Sequence, residues 1–104
     1  MKRFFLEAAA KRQIESIWDY TKETWGVRQA EKYTNGLLLH CEKLSLKKLP
    51  WQSHLIHGKT IIYRSRYEKH LIFFKKTIDG KLSILAIFHI SMDVPQHLVR
   101  YVGE

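Results

Sequence analysis

Two histidines in the second half of the chain could meet across a β-hairpin, and histidine is the usual residue type for acid–base chemistry. Asp79 and Gly80 stand between two apolar runs, which predicts a β-hairpin because both residue types tolerate the positive φ angles of a tight turn. If these two residues form the whole loop, His70 lies opposite His89 on one face of a sheet. The pair could serve as general acid and base in a nuclease, or pack as a partly solvated pair. We favour packing, because no carboxylate or metal motif accompanies the histidines.

Basic residues surround the same predicted hairpin. Arg64 and Arg66 alternate with aromatic and polar residues, so both arginines share one face of a strand. The formal net charge of the chain is +8, which predicts an acidic partner: a nucleic acid, an anionic surface or an acidic protein. A solvated positive face is an equally good interpretation of the arginines. Further basic residues assigned to this end of the sheet are Lys69, Lys75, Lys76 and Arg100.

No metal or cofactor site is expected. His54 and His57 have the spacing of a helical metal motif, but they fall in a predicted loop with no third ligand nearby in sequence. The single cysteine, Cys41, suits the core face of a helix and is interpreted as a buried thiol, not a nucleophile. One cysteine permits no intrachain disulfide, and the longest apolar run, Ile84 to Phe88, is far too short for a membrane span. We therefore expect a cytoplasmic protein.

The elements that must position these residues are two helices and a small sheet, in one domain over residues 1–104. Apolar residues at spacings of three and four predict a helix over Ala8–Trp25, ended by Gly26, and a second over Arg28–Leu46. So short a turn makes the helices antiparallel. The sequence thus predicts an α+β fold, with a helical hairpin on one face of a mostly antiparallel sheet. The remaining predicted elements are an N-terminal strand over Lys2–Leu6, a loop over Trp51–Lys59, a three-stranded antiparallel β-meander starting at Thr60 with a bend at Glu68-Lys69, and a short C-terminal helix over Gln96–Val102.

Both faces of the predicted hairpin are apolar near its middle. The helices can cover one face, and the other needs a short segment or a partner; we expect a partner, because a small domain rarely exposes a large apolar patch. A structure with both faces sealed within the monomer would contradict the inference, drawn from this face, of a binding function without catalysis. The two-residue loop also predicts the pairs Ile78–Lys81, Lys75–Ile84, Phe74–Leu85, Phe73–Ala86, Ile72–Ile87 and Leu71–Phe88.

Aromatic and glycine positions in the helices lead to further expectations. Helical periodicity assigns Trp18 and Trp25 to the core, whereas Trp51 follows Pro50 in the predicted loop and is expected to be the most exposed tryptophan. Gly36 lies inside the second helix, where glycine costs about 1 kcal/mol relative to alanine. A close crossing of the two helices is one reason to keep it.

Motifs spread along nearly the whole chain resemble one toxin family. A Tyr-x(4)-Trp-Gly pattern, an apolar strand opened by histidine and a His-x-x-Met-Asp closing the last strand are similar to the ParE branch of the RelE/ParE superfamily, the toxins of bacterial toxin–antitoxin pairs. The order and spacing of the motifs carry this resemblance more than any single motif. They stand here as Ile17–Tyr20, Trp25-Gly26, Ala30–Tyr33, His70–Phe74 and Ile87–Asp93.

This resemblance implies a RelE/ParE-like fold and a type II toxin, active in plasmid stabilization, that inhibits DNA gyrase by binding and is neutralised by a ParD-like antitoxin. RelE-like relatives are instead ribosome-dependent mRNA endonucleases that use basic residues and often a C-terminal tyrosine. His70 and Ser91 stand where those nucleases commonly carry arginine, and losing the guanidinium groups disfavours that chemistry. Many ParE relatives also carry arginine at the position of Ser91, so this serine alone does not select ParE.

Three functional hypotheses follow. The favoured one is a gyrase inhibitor without catalytic residues, with partner contacts assigned to Arg64, Arg66, Lys75, His89, Met92 and Arg100. The alternative is a RelE-like endonuclease, for which the catalytic candidates are Arg64, Arg66, Lys75, His89 and Tyr101. The third is a non-toxic remnant or a plain nucleic-acid-binding module.

Overall fold

The computed structural model describes residues 3–91, which form two helices on a five-stranded sheet. The α+β class and the N-terminal strand are confirmed. Strands lie in the order β1-β5-β4-β3-β2, with β1 parallel to β5 and every other neighbouring pair antiparallel. The elements are β1 Phe4–Leu6, α1 Ala8–Trp25, α2 Val27–Ser45, β2 Gln52–His57, β3 Thr60–Tyr67, β4 His70–Lys76 and β5 Leu82–His89.

The two helices begin and end almost where periodicity placed them. Helix α1 has the predicted bounds, and α2 begins and ends one residue earlier than predicted. Gly26 joins them with a φ of 97°, a left-handed conformation that glycine adopts without steric cost, and its N–H donates to the carbonyl of Lys22 at 2.8 Å. Neither helix is long and apolar enough to cross a membrane, and no other helix occurs in the described range.

The predicted sheet is wrong in its number of strands. Residues Gln52–His57, predicted as part of a loop, form the edge strand β2, so four consecutive strands, not three, pair antiparallel. This segment is polar and alternates only weakly, so its own sequence does not predict a strand. It is a strand because its backbone pairs with β3. The predicted helix over Gln96–Val102 lies outside the described residues.

The turn between β4 and β5 lies where Asp79-Gly80 indicated, but its type differs. The loop is wider by one residue: Thr77 N–H donates to the carbonyl of Lys81 at 2.8 Å, and Gly80 has a φ of 83°. A three-residue loop that ends in a left-handed glycine is a common hairpin form. The predicted pair Ile78–Lys81 is therefore wrong.

A bulge further along the hairpin cancels the extra loop residue. Phe74 pairs with Ile84, and Lys75 with Ser83, so the predicted partners Leu85 and Ile84 are wrong. Leu85 is the extra residue, and beyond it the strands return to the predicted register, as bulges permit. The confirmed pairs are Phe73–Ala86, Ile72–Ile87, Leu71–Phe88 and His70–His89.

Gly36 is explained by the sheet and not by a helix crossing. A Cβ atom at this position would lie 2.0 Å from the hydroxyl oxygen of Tyr67 on β3. Only glycine lets the tyrosine ring reach this close to the backbone of α2. The expected helix–helix explanation is therefore wrong, and Gly36 instead fixes how α2 sits on the sheet.

Helices α1 and α2 bury one sheet face, which we call the helix-side face. Leu37 and Leu44 of α2 pack with Ile72, Phe74 and other apolar residues of the sheet, all fully buried. Cys41 lies in the same cluster, which confirms the expected burial of its thiol, and burial raises the pKa of the thiol to about 12.

The opposite sheet face is also buried, which corrects the expectation of a face left for a partner. The buried members of its apolar cluster are at most 6% exposed, and Leu55 and Leu71 beside them are half-buried. Part of the cover comes from β2: Leu55 packs on the cluster, and the His54 ring lies edge-on to Phe73 with 5.0 Å between ring centroids. The argument for partner binding from a bare apolar face is thereby removed. The buried members of this cluster are Ile62, Phe73, Leu85, Ala86 and Phe88.

The tryptophan assignments are partly reversed. Trp25 is the last residue of α1 and is 72% exposed, so the helix end lies beyond the part of α1 that packs on the sheet. Trp51 is half-buried, and its indole N–H donates to the carbonyl of Leu44 at 2.9 Å. Trp18 is half-buried on α1.

Candidate partner-binding surface

Strand pairing brings three of the predicted contact residues onto one face, which we call the basic face. Arg64 lies opposite Phe73 and Arg66 opposite Leu71, so both arginines share the face of the buried Phe73 cluster. Lys75 is two residues beyond Phe73 and points the same way. Strand geometry puts the Cα atoms of the two arginines about 7 Å apart, with Lys75 about 7–8 Å diagonally from Arg64.

The turn after β3 positions Arg66. Its guanidinium Nε–H donates to the carbonyl of Glu68 at 2.7 Å, and Glu68 has a φ of 51° in the bend predicted at Glu68-Lys69. The carbonyl of Lys69 accepts from the N–H of Ile90 at 2.8 Å, which ties this bend to the end of β5. A guanidinium carries five N–H donors, so the Glu68 bond uses one and holds the planar group in place.

A neutral histidine flanks the basic face at β2. Burial, and secondarily the charge of Arg64, lowers the pKa of His54. His54 is therefore uncharged at neutral pH and packs on Phe73 as an aromatic ring. Among residues 3–91, no three His, Cys, Asp or Glu side chains come together in a way that could hold a metal ion.

The histidine pair lies on the helix-side face, opposite the arginines. His70 and His89 are cross-strand partners, as predicted, with 5.3 Å between ring centroids and an interplanar angle of 87°. His70 Nδ1 lies 2.7 Å from the Tyr33 hydroxyl, and this hydroxyl accepts from the N–H of Lys69 at 3.3 Å. Burial, and then the neighbouring His89, lowers the pKa of His70 to about 4. The ring is therefore neutral at pH 7.

A row of hydrogen-bonded polar rings continues from this pair. His40 Nε2 lies 2.8 Å from Ser65 Oγ, and burial with the nearby Lys43 lowers the pKa of His40. Burial also raises the pKa of Tyr33 and of Tyr67. Tyr33, His40 and Tyr67 are therefore uncharged at neutral pH, and their contacts join α2 to the sheet.

The geometry separates the groups that a nuclease must combine. A phosphoryl-transfer site needs an acid or base and fixed cations around one scissile phosphate. Here the ring of His89 points to the helix side, and its Nδ1 accepts from the N–H of Ser91 at 3.1 Å, whereas Arg64 and Arg66 point to the other face. The structure thus groups Arg64, Arg66 and Lys75 and leaves His89 apart. The remaining candidates, Met92, Arg100 and Tyr101, lie outside the described residues.

Sequence reasoning missed a second group of side chains on the helix-side face. Trp51 and Tyr63 meet beside the end of α2, with 5.0 Å between their ring centroids. The available signal was Pro50, which forces extended geometry on its neighbour and so marks the entry to a strand. Trp51 was instead assigned to an exposed loop.

Comparison with known proteins places the whole described fold in one family. The family described as "ParE toxin of type II toxin-antitoxin system, parDE" matches residues 4–94. Toxin ParE1 of Mycobacterium tuberculosis (strain CDC 1551 / Oshkosh) is 30% identical over 101 residues, covering 92% of this chain and 97% of the relative. Toxin ParE1 of Caulobacter vibrioides is 27% identical over 99 residues, covering 94% of this chain and 99% of the relative.

Proposed function

The chain belongs to the ParE toxin family of type II toxin–antitoxin systems, and on this basis we propose that it arrests growth by binding DNA gyrase without catalysing a reaction. Membership in this family implies an antitoxin partner. We further propose that the toxin acts in the cytoplasm and that the pair contributes to plasmid stabilization.

The observation that carries the proposal is the division of the sheet into two faces. The fixed cations Arg64 and Arg66 lie on one face, and His89, the acid–base candidate, on the other. Because neighbouring residues on a strand point to opposite faces, these groups do not converge on one phosphate. This arrangement supports binding over phosphodiester cleavage, in agreement with the ParE match over residues 4–94.

The basic face is the surface that we propose for partner contact. A chain with a net charge of +8 attracts acidic partners over a range of about 8 Å at physiological salt, and a planar guanidinium pairs with carboxylates or phosphates through two parallel hydrogen bonds. We propose that acidic side chains of the antitoxin, or the gyrase–DNA complex, meet Arg64, Arg66 and Lys75. His89, Met92 and Arg100 also belong to the proposed contact residues. Each is to be tested by its own substitution.

Two assays with the purified chain test the function. The first measures supercoiling of relaxed plasmid by gyrase, and the second measures cleavage of mRNA on translating ribosomes. We expect supercoiling to be inhibited and mRNA to stay intact. Codon-specific mRNA cleavage with unaffected gyrase would overturn the proposal in favour of the endonuclease, and neither effect, together with normal growth on expression, would indicate a chain without toxicity.

A matched pair of double variants tests the basic face. Replacing Arg64 and Arg66 by alanine removes two charges from this face, and replacing Lys11 and Arg12 by alanine removes two charges from the exposed side of α1. We expect only the first variant to lose antitoxin binding and gyrase inhibition. Equal losses in both variants would show that net charge alone, and not this surface, drives binding.

A further inference from the structure

A shallow cavity on the helix-side face has a composition that the proposed function does not use. Its volume is about 420 Å³, and it lies between the end of α2 and strands β2 to β4, away from the basic face. Two lysines stand at its rim and two aromatic rings form its wall. The lining residues are Lys47, Leu49, Trp51, Tyr63 and Lys76.

Contacts with helix α2 and with Phe74 hold the two aromatic rings, Trp51 and Tyr63, in place. The indole N–H of Trp51 donates to the carbonyl of Leu44 at 2.9 Å, and the ring lies edge-on to Phe74 at 5.5 Å. Tyr63 stacks on Phe74 at an interplanar angle of 25°, with 5.7 Å between centroids. Since Phe74 is fully buried, both cavity rings contact the core.

Lys47 occupies a backbone position that favours glycine. Helix α2 ends with the N–H of Lys48 donating to the carbonyl of Lys43 at 2.9 Å, and that of Lys47 donating to Leu44 at 3.0 Å. Lys47 itself has a φ of 58°, the left-handed conformation in which glycine is usual and a side chain is disfavoured. The side chain at this position places its ammonium nitrogen 5.6 Å from the centre of the Trp51 ring.

We propose that this cavity binds one nucleotide, with the base packed against the Trp51 and Tyr63 rings, which meet at 58°, and the phosphate beside Lys47 and Lys76. Aromatic platforms beside cationic side chains are the means by which proteins hold unpaired nucleotides without reading their sequence. An acidic peptide would pair with the lysines but would leave the aromatic wall unused. The site does not depend on which enzyme the toxin inhibits, and its nucleotide could be free or part of a single strand.

Lys47→Gly tests the cation with little risk to the fold. Glycine relieves the left-handed backbone, so the variant should be at least as stable as the wild type while losing one charge. The matched control is Lys22→Ala, which removes a lysine that lies 5.3 Å over Trp18 on α1. With a fluorescein-labelled oligothymidylate, anisotropy should show binding weakened about fivefold or more in Lys47→Gly and less than twofold in Lys22→Ala. Equal weakening in both variants would overturn the proposal, because it would mean general charge attraction.

A second pair of variants tests the aromatic wall. Trp51→Leu should weaken binding of the same strand about fivefold or more, whereas Trp25→Leu, at an exposed tryptophan away from the cavity, should leave it unchanged. If Trp51→Leu fails to fold, Lys47→Gly still decides the question. Competition by thymidine 5′-monophosphate would identify a free-nucleotide site, and absence of competition a site that needs a strand. Binding unaffected by both Lys47→Gly and Trp51→Leu would refute the site.

Discussion

The two faces of the sheet hold their polar side chains in opposite states. On the helix-side face, burial keeps Tyr33 and His70 neutral, and the two groups hydrogen-bond to each other at 2.7 Å. On the basic face, Arg64 and Arg66 carry charge at any physiological pH, because a guanidinium does not lose its proton in proteins. Neighbouring strand residues thus place the neutral His70 against the helices and the two arginines on the other side, beside an apolar cluster.

This difference supports the proposal that the sheet binds a partner without catalysing a reaction. Catalysis of phosphodiester cleavage requires proton transfer and charge stabilisation at the same atoms. Strand alternation places the His70–His89 pair and the arginine pair on opposite sides of the backbone. The proposed recognition by Arg64 and Arg66 therefore has no acid–base histidine on the same face.

The largest expected effect comes from adjacent phenylalanines that point to opposite faces. Phe73 and Phe74 are both fully buried, so replacing either by alanine should lower the free energy of unfolding by about 3–5 kcal/mol in urea denaturation. Ile78→Ala in the exposed turn is the control and should change it by less than about 0.5 kcal/mol. If Phe73→Ala lowers the free energy of unfolding by less than about 1 kcal/mol, the sheet face opposite the helices does not form part of the core and is instead available to a partner.

Gly36→Ala should disrupt the helix-side face alone. The new methyl group would meet the Tyr67 hydroxyl, and overpacking of this kind costs about 1–3 kcal/mol in the free energy of unfolding. Adding Tyr67→Phe should recover part of that loss in the double variant. Helix propensity alone predicts the opposite sign, a gain of about 1 kcal/mol, and such a gain would show that Tyr67 does not pack against Gly36.

The neutral state of His70 predicts a pH dependence of stability. Its pKa of about 4 in the folded chain lies below the ordinary value of 6.5, so between these values the unfolded chain binds more protons, and stability falls as pH falls. For a half-exposed ring we expect His70 to contribute about 1–2 kcal/mol to this loss between pH 7 and 4.5. His70→Gln, which can still bond to Tyr33, should show a correspondingly flatter profile in urea denaturation. The same slope in both proteins would contradict a neutral His70.

Arg66→Ala should have the smallest effect on stability and a clear effect on recognition. The side chain is exposed, so the free energy of unfolding should change by less than about 0.5 kcal/mol. Loss of its charged hydrogen bonds should weaken antitoxin binding about tenfold, measured by calorimetry. Lys11→Ala, which removes one charge from α1, should leave that affinity within about twofold. Unchanged affinity in Arg66→Ala would remove this arginine from the contact surface.

Alternation and helical periodicity predicted the parts of the fold that repeat regularly. The spacing of apolar residues located α1 and α2 within one residue, and alternation correctly placed His70 opposite His89 and both arginines on one face. The prediction missed the extra loop residue before Gly80 and the bulge at Leu85. The loop shifts the strand register by one residue and the bulge shifts it back, so the pairs far from the turn are the same with or without them.

The missed features depend on contacts between segments distant in sequence. Strand β2 is ordered by pairing with β3, and Gly36 is required by Tyr67, which lies on β3. Trp51 was assigned to the surface, because no local pattern shows that its indole reaches the carbonyl of Leu44. Local sequence therefore predicted the basic face but not the cavity beside α2.

The most direct test of binding without catalysis removes both histidines of the sheet pair. A variant with His70→Gln and His89→Gln retains the arginines of the basic face, and circular dichroism can confirm that it is folded. We predict that it still inhibits gyrase supercoiling, because glutamine keeps a hydrogen-bonding group at the proposed His89 contact and no proton transfer is involved. The account would be contradicted if the folded histidine variant lost gyrase inhibition while Arg64→Ala and Arg66→Ala retained it in the same assay.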